Sequence, residues 1–124
     1  MKVYADLARA EADASDALRA AGVVRSPVEG LPVSVKDLFD VGGDVTLAGS
    51  KALASEPPAT RDAPAVARLR AAGAVILGRT SMVEFAFGGI GTNPHFGTPA
   101  NPHDRGTGRI PGGSSSGAAV AVAD

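Results

Sequence analysis

The 124 residues are 44% apolar but only 4% aromatic, enough for one small core of Ala, Val, Leu and Ile and too little for a second complete domain. The 12 Lys and Arg are interspersed with 13 Asp and Glu, which argues against a nucleic-acid surface and leaves a small, roughly neutral molecule as the expected partner. Without cysteine there is no disulfide framework, thiolate nucleophile or cysteine metal site, the cytoplasm is the default location, and no stretch reads as a signal peptide or membrane span.

Apolar residues recur at Val3, Leu7, Ala10, Ala14, Ala17, Leu18 and Ala21, the period of an amphipathic helix over 3–21 closed by Gly22. Residues 31–36 then alternate, Val33 and Val35 to one side and Ser34 and Lys36 to the other, which predicts a strand. The Gly- and Pro-rich stretch 42–58 predicts an irregular loop. Asp62 is placed to cap a helix with Pro64 in its first turn, a stripe of Ala65, Val66, Leu69 and Ala72, and Gly73 at its end. A strand is expected over 74–77 and a turn over 78–80. Ser81 and Glu84 then have the spacing of a capping box for a short helix ended by Gly88 and Gly89. This alternation predicts an α/β fold with parallel strands and crossover helices. Residues 91–113 predict loop throughout, and the small residues 114–123, opening with three serines, predict a hydroxyl-capped helix packed closely on a neighbour. Asp124 follows helix formers with no stop signal, so the chain is expected to continue into a longer domain.

Two features carry chemistry. Lys36 lies beside valines in a strand that a crossover topology buries on both faces, and a buried lysine is costly unless neutral or paired. It is either a strand-end lysine paired with Asp37 or reaching water, or a desolvated base. The second feature is Pro111-Gly112-Gly113-Ser114-Ser115-Ser116-Gly117. A phosphate cradle of the P-loop kind lacks its lysine here. Gly113 to Gly117 meets the letter pattern of a nucleophile elbow, yet no hydrophobic strand precedes it and both histidines, His95 and His103, come earlier. A glycine-rich turn that simply starts a helix remains open.

From Gly30 to Asp124 the chain resembles the amidase-signature family, residues 1–29 adding little. The landmarks are Leu31-Pro32-Val33-Ser34-Val35-Lys36-Asp37, then Ala48-Gly49-Ser50, Asp62-Ala63-Pro64, Leu69 to Ala74, Gly78-Arg79-Thr80, Glu84-Phe85-Ala86, Gly91-Thr92-Asn93-Pro94 and the serine cluster. The resemblance implies part of an amidase-signature fold, a mixed or parallel sheet flanked by helices. Residues 1–22 would be a leading helix and 30–124 the signature region of a single domain. It also implies a Ser-Ser-Lys triad in which Lys36 is the base and Ser114, after a non-proline cis peptide bond, the relay. The nucleophilic serine would follow later than Asp124. Phe87, Gly88, Gly89, Ile90, Gly91 and Thr92 match the segment that borders the acyl pocket. The implied reaction is hydrolysis of a small linear amide, with no metal or organic cofactor. The A subunit of a tRNA-dependent amidotransferase is the alternative within the family, and a non-catalytic interaction module the alternative outside it. Substrate identity and oligomeric state are left open, and a cut sheet is expected to expose apolar surface.

Overall fold

A computed structural model describes residues 2–124. In chain order it contains β1 (Lys2–Val3), α1 (Ala5–Ala20), β2 (Pro32–Lys36), α2 (Pro64–Ala71), β3 (Val75–Thr80) and α3 (Ser116–Ala123), with single 3-10 turns at Lys51–Leu53 and Glu84–Ala86. The strands form one sheet in the order β1-β3-β2. β2 and β3 are parallel and joined through α2, as the alternation predicts, whereas β1 runs antiparallel to β3. The fold is therefore α/β with a small mixed sheet.

β1 departs from the sequence expectation, because Val3 is in phase with Leu7 but belongs to a strand paired with Gly78. The helix itself is also rotated about its axis relative to the expected stripe. Leu7, Ala10, Ala14 and Ala17 are exposed, and the buried residues are Ala8 and Ser15. Hydrogen bonds orient it instead. The Ile76 N–H, on β3 beyond the reach of two-residue β1, donates to Glu11 Oε2 (2.9 Å), and Ser15 Oγ donates to Glu29 Oε1 (2.7 Å). Satisfying a buried main-chain donor and a buried carboxylate outweighs covering alanines, which bury little area each. Glu29 also receives Arg25 Nε (2.6 Å), and bonds from Arg25 and Ser15 overcome its burial and hold its carboxyl at about 2.

Helix α2 ends as expected on Gly73, at φ 94°, where Gly73 N–H bonds the Arg70 carbonyl and Ala74 N–H that of Leu69. This 5→2 and 6→1 pair leads straight into β3. Asp62 does not cap α2, whose N-cap residue is Ala63. Its carboxylate is taken by Gly42 N–H (2.7 Å) and Arg70 Nε (3.0 Å), and Pro64 at the first position needs no cap partner for its nitrogen.

β3 runs on through residues 78–80, where a turn was expected. Val33 pairs with Ile76 and Ser34 with Gly78, so Leu77 has no partner on β2 and the register slips by one. Because side chains alternate along a strand, the slip puts Arg79 opposite Val35 on the core face, and Lys36 with Thr80 on the other. The core is Val35, Val41, Val66 and Ile76, backed by Tyr4, Val33, Ala63 and Leu69. Arg79, its side chain 4% exposed, is tolerated there because it donates to Asp37 Oδ1 (2.8 Å), Asp44 Oδ2 (3.1 Å), Tyr4 Oη (3.1 Å) and Thr46 Oγ1 (3.1 Å). Burial and a hydrogen bond to Asp44 push the Tyr4 hydroxyl up to about 12. Burial works against ionised Asp44, but bonds from Lys2 and Tyr4 and the charges of Lys2 and Arg79 prevail, leaving it at about 2.

Beyond β3, regular structure gives out until α3, which packs against β2 and β3. The capping box does not form. Ser81 makes no cap, and Glu84 accepts from Ser50 Oγ (2.6 Å) instead. Nor do hydroxyls cap α3, since its N-cap residue Ser115 makes no side-chain cap bond and Ser116 Oγ is buried without a partner. In the loop 99–110 both ends are tied by Asn101 Nδ2, which donates to the Ile110 carbonyl (2.9 Å).

Candidate active site at Lys36 and Ser114

Lys36 is the last residue of β2, paired in register with Thr80 at the end of β3. The face opposite the core carries it, so it is partly rather than fully buried, and Val33 and Val35 point away from it. Asp37 is not its partner. That carboxylate is occupied by Arg79 Nη1 (2.8 Å) and by Gly49 N–H (3.2 Å). With the neighbouring anion engaged, Lys36 Nζ reaches across 78 positions of sequence and donates to Ser114 Oγ at 2.7 Å. The peptide bond between Gly113 and Ser114 is cis.

Ser114 is held mainly through its backbone. The segment 81–83, which continues β3, lies along the serine segment: Val83 N–H donates to the Ser114 carbonyl (3.0 Å), and Gly117 N–H donates to the Ser81 carbonyl (2.9 Å). Asp37 N–H donates in turn to the Thr80 carbonyl (3.2 Å), so one strand end fixes both the lysine side and the serine side. The approach is close enough to require glycine at 117, where a Cβ would stand 2.5 Å from Ser81 N.

The six residues 87–92 divide. Phe87 is 94% exposed, and Gly88, Gly89, Ile90 and Thr92 are also exposed. Gly91 is buried, and a Cβ on it would meet the Gly112 carbonyl oxygen at 2.2 Å. Gly88 lies over Val83, so the segment crosses the backbone that precedes and supports Ser114. Among the described residues, none of the six makes a side-chain hydrogen bond to Lys36 or Ser114.

Asn93, part of the Gly91-Thr92-Asn93-Pro94 landmark, has no role assigned from the sequence. It is buried, and its Nδ2 donates to the carbonyls of Gly49 and Met82 (2.8 Å each), while Oδ1 accepts from the N–H groups of His95 (2.8 Å) and Phe96 (3.0 Å). The available signal was an asparagine directly before Pro94 in a stretch with no regular pattern. A cavity of about 310 Å³ lies on this side of segment 81–83, with Val45, Leu47, Met82 and Phe96 in its wall. Neither Lys36 nor Ser114 lines it, and its charged groups are already paired, Arg79 with Asp37 and Asp44 and Lys2 with Asp44. The Lys36–Ser114 pair therefore lies outside it. Among the described residues no cluster of three His, Cys, Asp or Glu is gathered for a metal, and no helix is long and apolar enough to cross a membrane.

A family model for Amidase matches residues 1–124, which takes in the first 29 residues as well as the signature region. The chain is 57% identical over 116 residues to the AtzE component of 1-carboxybiuret hydrolase from Pseudomonas sp. (strain ADP), covering 94% of this chain and 25% of that protein. It is 49% identical over 123 residues to the A subunit of glutamyl-tRNA(Gln) amidotransferase from Anaeromyxobacter dehalogenans (strain 2CP-C), covering 99% of this chain and 24% of that one. An inhibitor-bound structure of a vestigial protein complex, solved in tracing the origins of an s-triazine catabolic enzyme, superposes with a TM-score of 0.93 at 53% identity. That match covers 99% of this chain and 26% of the solved one. The chain thus spans about a quarter of the length of the proteins it matches. On its sequence, its fold and the extent of both matches, the chain belongs to the amidase family.

Proposed function

We propose that residues 1–124 carry the base and the relay of a Ser-Ser-Lys hydrolase acting on a small linear amide, with the nucleophilic serine contributed from beyond Asp124. The observation that carries this reading is the 2.7 Å contact between Lys36 Nζ and Ser114 Oγ, within the reach that proton transfer needs. The nucleophile's hydroxyl oxygen attacks the amide carbon, and its proton passes to Ser114 Oγ as the Ser114 hydroxyl, turned to donate across the same contact, gives its own proton to Lys36 Nζ, which takes it only in its neutral form. Lysine returns a proton by the same path to the leaving nitrogen as the C–N bond breaks. Water then releases the acid from the acyl-serine, and no metal or organic cofactor enters any step.

In this reading residues 87–92 border the acyl group, with Phe87 and Ile90 supplying its apolar wall, and the protein acts in the cytoplasm. The test is amide hydrolysis by the natural full-length protein. Lys36→Ala and Ser114→Ala each lower kcat/KM by about 1,000-fold or more, and residues 1–124 alone show no turnover. Hydrolysis by residues 1–124 alone, abolished by Ser115→Ala, would instead establish the nucleophile-elbow reading. A second reading is favoured by the 49% identity to the A subunit of a glutamyl-tRNA(Gln) amidotransferase. It keeps the same Lys36–Ser114 chemistry but takes glutamine as the amide and hands its ammonia to a partner protein. Glutamine hydrolysis exceeding that of simple carboxamides selects it.

A further inference from the structure

We propose that Asn93 is a positioning residue that sets the Lys36–Ser114 contact, a role that rests on this pair being the proton relay. Its amide is fully used: two N–H groups meet two carbonyls and one oxygen meets two N–H groups, so only one orientation of the amide satisfies its surroundings. What matters is where those partners lie. Gly49, whose carbonyl Asn93 holds, donates its own N–H to Asp37 Oδ2 (3.2 Å), next in sequence to Lys36. Met82, the other carbonyl, stands between Ser81 and Val83, the two residues whose main chains grip the serine segment. One side chain therefore joins the lysine half of the site to the serine half.

The backbone adds a third tie. Two residues before Asn93, Gly91 lies against the Gly112 carbonyl, just ahead of the cis bond. Asn93 N–H donates to Thr98 Oγ1 (3.0 Å), which with the His95 and Phe96 contacts folds 93–98 into a closed turn. Loss of the Asn93 donors frees Met82 and Gly49 to part, and the gap opens where the two halves meet, at Lys36 and Ser114. Asn93 touches neither reacting group, so its effect is on their separation.

The experiment uses the natural full-length protein with Asn93→Asp, which keeps the shape but turns a carboxylate oxygen on two carbonyls. Asn93→Ala, which removes the donors without adding charge, serves if the aspartate variant does not fold. Val66→Ala, in the core and remote from the loop, is the control for stability loss alone. Crystal structures and kinetics are read together. The expected result is a Lys36–Ser114 separation opened beyond about 3.5 Å and kcat lowered by about 100-fold with little change in KM. Val66→Ala, at an equal loss in Tm, keeps both at wild-type values. A variant that retains the contact overturns the proposal whatever its activity, as does a Val66→Ala protein with the same opening. An opened contact with unchanged turnover upholds the positioning role and instead refutes the assignment of Lys36 and Ser114 as the relay.

Discussion

The molecule divides at Thr80 into two regions held together by different means. Before it, a frame of helices and sheet is secured by side chains: the Val35, Val41, Val66 and Ile76 core, and the charged hubs at Glu29 and Arg79. After it, residues 81–115 contain one short 3-10 turn, and they and the start of α3 are secured by main-chain contacts, by Asn93 and by glycines pressed against neighbouring backbone. A methyl group added at Gly117 or Gly91 meets backbone atoms that cannot turn aside, and in the frame the same holds at Gly78, where a Cβ would stand 2.2 Å from the Lys2 carbonyl oxygen. The frame is specified chiefly by volume and pairing, the site by how closely two stretches of chain can approach.

The largest effect is expected in the core. Ile76→Ala, at a residue with no exposed surface, should cost about 2–5 kcal/mol and lower the stability of the whole chain, read as a single shift of the urea midpoint. Gly117→Ala should cost about 1–3 kcal/mol, with a different signature. Amide exchange should accelerate at 112–117 ahead of 75–80, and equal acceleration in both would mean that the two regions are held alike.

Acid tests the charged hubs. The folded-state carboxyls of Glu29 and Asp44 lie at about 2, below the unfolded values of about 4.3 and 3.9. Each therefore contributes stability that is present above its unfolded value and is lost as pH falls through its folded one. The urea midpoint should drop between about pH 5 and pH 2, and Glu29→Gln should flatten that drop, with the protein already weaker at neutral pH. The smallest expected effect lies in α1. Leu7→Gln should change stability by no more than about 0.5 kcal/mol, since the side chain is 48% exposed, and a loss of several kcal/mol would restore the apolar stripe as the buried face.

These outcomes mark where sequence was informative. Helix stops at Gly22 and Gly73 were legible because a left-handed residue is a local requirement that glycine meets at the least cost. The alternation of Val33 and Val35 gave the core face of β2 for the same reason: strand period is local. Three things were not local. The inward face of α1 depends on a β3 donor 65 positions away at Ile76. The burial of Arg79 depends on Asp37 and Asp44, which reach it from another segment. The capping roles given to Asp62, Ser81 and the 115–116 hydroxyls failed because Gly42, Arg70 and close backbone packing outcompeted them. At the site, family resemblance supplied Lys36 and Ser114. It marked Asn93 as part of a landmark but assigned it no role, because its partners at 49 and 82 are brought together only by the fold.

The bond from Asn101 to the Ile110 carbonyl has a bearing on how this chain can vary in length. With its two ends fastened, the stretch 102–109 behaves as a loop whose closure is already provided, and lengthening such a loop costs only about 0.6 kcal/mol for each doubling. Insertions in 102–109 can therefore be absorbed as entropy without moving the chain at 111–114. A tag or spectroscopic label placed between Gly106 and Gly108 should report on the protein while leaving the distance between Lys36 and Ser114 as it is, whereas the same insertion on the other side of Ile110 would be transmitted directly to Ser114.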